Sequence, residues 1–179
     1  MARRETAARR YAEAAFQIGR ADGTLDAWER DLAAVGELLA HAGLRRMIEH
    51  PVVPHADKER LLRNVAGDSI GPDALSLVLL MVRRGRPRAI ERMIAHFGEL
   101  LRSERGIVLA EVRSAMALEP EQRQAVSERL AQLTGETVEM NEVVDESLIG
   151  GIAVRIGDRL YDASVRSRLE RLRARLTTV

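Results

Sequence analysis

The chain has 179 residues, 46% hydrophobic and 31% charged, with a formal net charge of +1; that suffices for one or two small domains with a buried core and argues against a dedicated polyanion binder. Tyr11, Phe16, Trp28, Phe97 and Tyr161 are its only aromatics, too few for a base-stacking or sugar site, and the absence of cysteine excludes disulfides, thiolate metal sites and thiol nucleophiles. Its longest uncharged apolar stretch, Ala74 to Val82, is nine residues, against the about 20 that a membrane-crossing helix needs.

The opening Met1-Ala2-Arg3-Arg4-Glu5 has no apolar core, so no secretory signal is expected. Ala7, Tyr11, Ala14, Ala15 and Ile18 then follow helical spacing and predict one apolar face, with Arg9, Arg10, Glu13, Gln17 and Arg20 opposite. Asp22-Gly23 breaks this helix. Leu25, Trp28, Leu32, Val35 and Leu39 alternate steps of three and four, a second amphipathic helix. A short apolar turn follows at Leu44, Met47 and Ile48, and Pro51 and Pro54 bracket an extended connection. Leu61, Leu62 and Val65 mark a fourth helix ending near Gly67. Pro72 suits the first turn of a fifth. Ala74 to Val82 is apolar all round except for Ser76, which predicts a helix at the centre of a bundle. Beyond Arg83-Arg84-Gly85-Arg86, Pro87 restarts the chain, and Ile90, Met93, Ile94, Phe97, Leu100 and Leu101 give a sixth helix that Gly106 ends.

The pattern then changes. Ile107 to Val112 is apolar and β-branched, a strand. Pro120 starts a helix with Val126, Leu130 and Leu133 on one face, and Gly135 stops it. Val138 and Met140 alternate with polar residues, a half-buried strand. Ile152 to Ile156 and Arg159 to Tyr161 flank Gly157-Asp158, a tight hairpin. Val165, Leu169, Leu172 and Leu176 stripe a last helix. The expected architecture is α+β and mostly α: a helical domain over 1–105 and a small mixed domain over 106–179.

No catalytic constellation emerges. His41, His50, His55 and His96 lack metal-ligand spacing and read as surface or capping residues. Gly150-Gly151 is followed by Ile152-Ala153 and not by the lysine and hydroxyl of a phosphate loop, so these glycines read as a turn or a close chain approach. Lys58 is the only lysine beside 27 arginines, a composition that a GC-rich genome accounts for. Two features are suited to binding. The last helix carries Arg166, Arg168, Arg171, Arg173 and Arg175 against Glu170, either a solvated face or a surface for RNA or acidic lipid. The first helix has an apolar face kept shallow by Ala7, Ala14 and Ala15, either bundle packing or a groove for a partner helix.

Arg10-Tyr11-Ala12-Glu13-Ala14-Ala15-Phe16 resembles the opening signature of the delta subunit of F-type ATP synthases, the family of the mitochondrial oligomycin-sensitivity-conferring protein. Leu79 to Arg86 is similar to that family's fifth-helix ending. The most specific stretch runs from Asp145 to Leu172: a double glycine at 150–151, Gly157-Asp158, Asp162-Ala163-Ser164-Val165 and Arg168-Leu169, in that order. The family often has glycine where Ala163 stands, and asparagine is common in the region of Ser76-Leu77.

The resemblance implies an N-terminal six-helix bundle followed by a small α+β domain, and a non-catalytic stator subunit with no cofactor. It implies a bundle that receives the alpha subunit's N-terminal helix between its first and fifth helices. Tyr11, Ala14, Ala15 and Ile18 with Ser76, Leu77 and Leu80 are the candidate groove. It implies a C-terminal domain that meets the peripheral-stalk b subunits, with Leu172, Arg173 and Leu176 as the candidate contact. The implied place is the cytoplasmic face of the bacterial plasma membrane, reached only through the complex, with no nucleic acid expected. The alternative is an RNA- or ribosome-associated adaptor using the basic last helix; the near-neutral charge and scarce aromatics weigh against it.

Overall fold

The computed structural model describes residues 2–67 and 69–177, without the side chains of residues 2–5, 172 and 174–177. The chain is mostly α-helical with a small sheet, and it divides into two compact units, Met1–Leu101 and Arg102–Val179.

The first unit contains α1 (Ala2–Ala21), α2 (Leu25–Ala40), α3 (Ala42–Glu49), α4 (His55–Ala66), α5 (Pro72–Arg83), a 3-10 turn at Pro87–Ala89 and most of α6 (Ile90–Glu104). Trp28, Leu32, Val35 and Leu39 of α2 and Ile90, Met93, Phe97 and Leu101 of α6 are buried, as helical spacing requires. Phe97 stands edge-on to Phe16 at 6.1 Å between ring centres and lies 6.3 Å from Trp28, so three of the five aromatics form one cluster. Gly19 permits this packing: a Cβ on it would lie 2.7 Å from Cδ1 of Trp28. The backbone N–H of Gly71 donates to Asp31 Oδ2 at 3.0 Å, tying the start of α5 to α2 across 40 residues of sequence.

Four expectations for this first unit need correction. The buried face of α1 is Ala7, Ala8, Ala12, Ala15 and Phe16, so Ala7 and Ala15 of the expected face are covered whereas Ala14 and Ile18 are exposed. Phe16 supplies the bulk that decides which side faces the core. The fifth helix is not enclosed: Ala74, Val78, Met81 and Val82 are buried, but Ser76 and Leu80 are exposed. On α4 the buried row is Lys58, Leu62 and Ala66, one residue per turn, and Val65 faces out. The stretch around Leu44, Met47 and Ile48 is a full helix, α3, that buries only Ile48.

The second unit is built on a four-stranded sheet in the order β2-β1-β3-β4: β1 (Ile107–Ser114), β2 (Thr137–Val144), β3 (Ile152–Ile156) and β4 (Arg159–Asp162). Helix α7 (Pro120–Thr134) is the crossover that lets β1 and β2 pair in parallel. Its start is fixed by Pro120 and by a capping box, in which the Glu119 N–H donates to Gln122 Oε1 at 3.1 Å. Its end is fixed by Gly135 in the left-handed conformation. Leu130 packs with Ala110, Val112, Val138 and Val154 of the sheet. Leu133 is 56% exposed, so the expected third member of that helix face points to solvent. The β3–β4 pair is antiparallel, with Ile156 opposite Arg159 across Gly157-Asp158. Helix α8 (Val165–Thr177) follows.

Candidate docking surfaces

Helix α1 packs on α5, and each leaves an apolar row outside the core. On α1 the row is Tyr11, Ala14 and Ile18, at steps of three and four; Tyr11 is half-buried against the core and Ile18 is 49% exposed. On α5 it is Leu77 and Leu80 with Ser76 beside them; Leu77 is half-buried and Leu80 is 41% exposed. Ala15 does not belong to this surface: it is 1% exposed and sits in the core cluster. Exposed leucine and isoleucine on two touching helices keep apolar area in water, which a second apolar face covers at about 25 cal/mol per Å².

In the second unit the residues from Asp145 to Val165 are tied together by short-range bonds. Asp145 takes a hydrogen bond from the Ser147 N–H at 3.0 Å, and its own N–H donates to the Ser114 carbonyl at 2.8 Å. Asp162 accepts from the Ser164 N–H at 2.9 Å, and the buried Ser164 Oγ accepts from the Ser167 N–H at 3.1 Å, capping α8. The Val165 N–H donates to the Gly150 carbonyl at 2.9 Å. The double glycine, the Asp-Ala-Ser-Val run and the start of α8 are therefore one clasp.

Hydrogen bonds from Ser164, with Arg171 adding to them, hold the Asp162 carboxyl below the usual carboxylate range. Those from Ser147, with Arg113 and Arg166 adding, do the same for Asp145. Both groups are depressed in the folded state, so their contribution is present above about pH 4 and is lost as pH falls through the folded values. Asp162→Asn is expected to flatten the acid limb of helicity loss in α8, measured by amide exchange from pH 5 downward. An acid limb identical to that of the unsubstituted chain would refute the clasp's titration.

On α8, Val165 is 37% and Leu169 is 51% exposed, so these two apolar side chains are not enclosed. Arg173 is exposed. The side chains of Leu172 and Leu176 lie outside the described residues. Of the arginines on this helix, Arg166 and Arg171 act on Asp145 and Asp162.

The family model for the ATP synthase delta (OSCP) subunit matches residues 7–176. The chain belongs to this family. It is 40% identical over 169 residues to ATP synthase subunit delta of Caulobacter vibrioides, covering 93% of this chain and 92% of that one. It is 36% identical over 169 residues to ATP synthase subunit delta of Moorella thermoacetica, covering 94% of each. Among solved structures it resembles a chain of the Toxoplasma gondii mitochondrial ATP synthase hexamer, with a TM-score of 0.73 at 22% identity over 95% of this chain and 97% of that one, a likeness of fold. Membership of the delta family makes this a structural, non-catalytic subunit. Among the described residues no helix is long and apolar enough to cross a membrane.

Proposed function

We propose that this delta-family chain is the stator subunit that ties the catalytic alpha/beta head of a proton-translocating F-type ATP synthase to its peripheral stalk. Rotor torque then drives ATP synthesis instead of spinning the head. The carrying observation is the family match across residues 7–176. Residues 1–105, as a six-helix bundle, engage the head, and residues 106–179 engage the stalk. On the bundle, the rows Tyr11, Ala14, Ile18 and Ser76, Leu77, Leu80 form the two walls of a groove for the amphipathic N-terminal helix of an alpha subunit. Their exposure on touching helices supports this. On the second unit the exposed row Val165 and Leu169, continued by Leu172, Arg173 and Leu176, meets the b subunits. Two attachment points add avidity, because the second contact forms at high effective concentration. The assembly sits at the cytoplasmic face of the bacterial plasma membrane and reaches the membrane only through its partners.

Co-purification from native membranes is the direct test. The tagged chain should retain alpha and b subunits. Recovery of ribosomal RNA with neither subunit, through binding that weakens steeply with salt, would replace this reading with the adaptor alternative.

A further inference from the structure

The first unit contains a cavity of about 490 Å³ whose wall includes Ala7 of α1 and Val82 of α5 but none of Tyr11, Ala14, Ile18, Ser76, Leu77 and Leu80. It lies among the end of α3, the start of α4 and the turn after α5, with Glu49, His55, Lys58, Arg86 and Arg88 on its wall. Lys58, the only lysine, is 6% exposed. No described residue takes its ammonium in a hydrogen bond or ion pair. Among the described residues no enclosed side-chain nitrogen is left without a partner, so that ammonium is not sealed off, and Lys58 lines the cavity. Burying the stem of a lysine while its charge stays unpaired is unfavourable unless an anion or water meets the charge.

The remaining groups add to the same sign. Arg88 is matched by Glu49 at 2.7 Å, which leaves Lys58 and the exposed Arg86 as cations with no counter-charge among the described residues. Helix α4 begins at His55 after Pro54, with no side-chain cap. The His55 and Ala56 amides lie outside the helical ladder, whereas the Asp57 N–H donates to the Pro54 carbonyl at 3.1 Å, and the helix dipole there favours negative charge. Two cations and an uncapped helix start suit a doubly charged oxyanion. The volume exceeds that of such an ion alone, and Ala7, Pro51 and Val82 supply apolar wall for an attached organic body.

We infer that this cavity binds a small phosphate monoester, its phosphate held by Lys58, Arg86 and the start of α4. The inference does not rest on the stator reading, since the cavity shares no residue with either proposed docking row.

The test is calorimetric titration of the full chain with glycerol 3-phosphate and with inorganic phosphate, in chloride at constant ionic strength. Saturable binding of the monoester, tighter than that of inorganic phosphate, is expected. Lys58→Met, which keeps the buried stem, and Arg86→Gln, at the exposed rim, should each weaken it about tenfold. Melting of the unliganded variants shows whether each is folded; if Lys58→Met unfolds, Arg86→Gln carries the comparison. Absence of saturation, affinities unchanged in a folded variant, or binding of inorganic phosphate with the monoester excluded would each overturn the inference.

Discussion

Ala14→Asp is expected to weaken binding of a peptide spanning the alpha subunit's N-terminal helix by about a hundredfold or more, with little change in melting temperature. Ala14 is exposed on α1, between the half-buried Tyr11 and the exposed Ile18. A carboxylate there is fully hydrated in the free chain, and surface changes of this kind alter stability by only about 0.5 kcal/mol. Under a docked helix the same carboxylate loses its water without gaining a partner, which costs several kcal/mol. The neighbouring position gives the control. Ala15 is 1% exposed, so Ala15→Asp should collapse the melting temperature whether or not a peptide is present. The pair is read by thermal unfolding and peptide titration on both variants. Unchanged peptide affinity in Ala14→Asp removes α1 from the groove.

That contrast also marks where the sequence was ambiguous. An alanine-rich helix has little hydrophobic contrast around its circumference. Ala7, Tyr11, Ala14, Ala15 and Ile18 fit one helical face, yet of these the fold covers only Ala7 and Ala15, together with Ala8, Ala12 and Phe16. Apolar residues thus stand both in the core and on the exposed side of α1, and periodicity cannot say which of them a neighbour covers. The fifth helix poses the same problem: apolar on every side, it reads as central, although Ser76 and Leu80 are exposed. Helices with strong contrast were legible. Trp28, Leu32, Val35 and Leu39 are buried at the positions their spacing requires. So was the hairpin at Gly157-Asp158, because a two-residue turn leaves few alternatives.

Long-range consequences were not legible. The sole lysine was visible as a matter of composition, but its burial depends on α4 turning Lys58, Leu62 and Ala66 inward together. Its place one turn before Leu62 was the available signal. The bond from Gly71 to Asp31 spans 40 residues and leaves no periodic trace. Gly150-Gly151 lay between: the pair announced a turn or a close approach, and only the fold shows what approaches.

Gly151→Val is expected to destabilise the second unit by about 3 kcal/mol or more. Gly151 has φ +79°, a conformation that β-branched side chains adopt only under strain. Its Cβ would also lie 2.7 Å from the Ala163 carbonyl oxygen and 3.1 Å from Ser164 Cα. These are backbone atoms and cannot rotate away. They are fixed from both sides, by the Ala163 N–H on the Ile152 carbonyl at 3.0 Å and the Val165 N–H on the Gly150 carbonyl at 2.9 Å. Relief therefore requires breaking the clasp that starts α8. Gly157 separates the two causes. It has φ +55° with nothing within 4 Å of a Cβ, so Gly157→Val carries the backbone cost alone, about 1–2 kcal/mol. Amide exchange on β3 measures both variants in the full chain. Equal losses at the two glycines would mean that φ alone matters. A much larger loss at Gly151 assigns the difference to the approach of Ala163 and Ser164. A unit of this size has only a few kcal/mol in hand, so that difference decides whether α8 is presented at all.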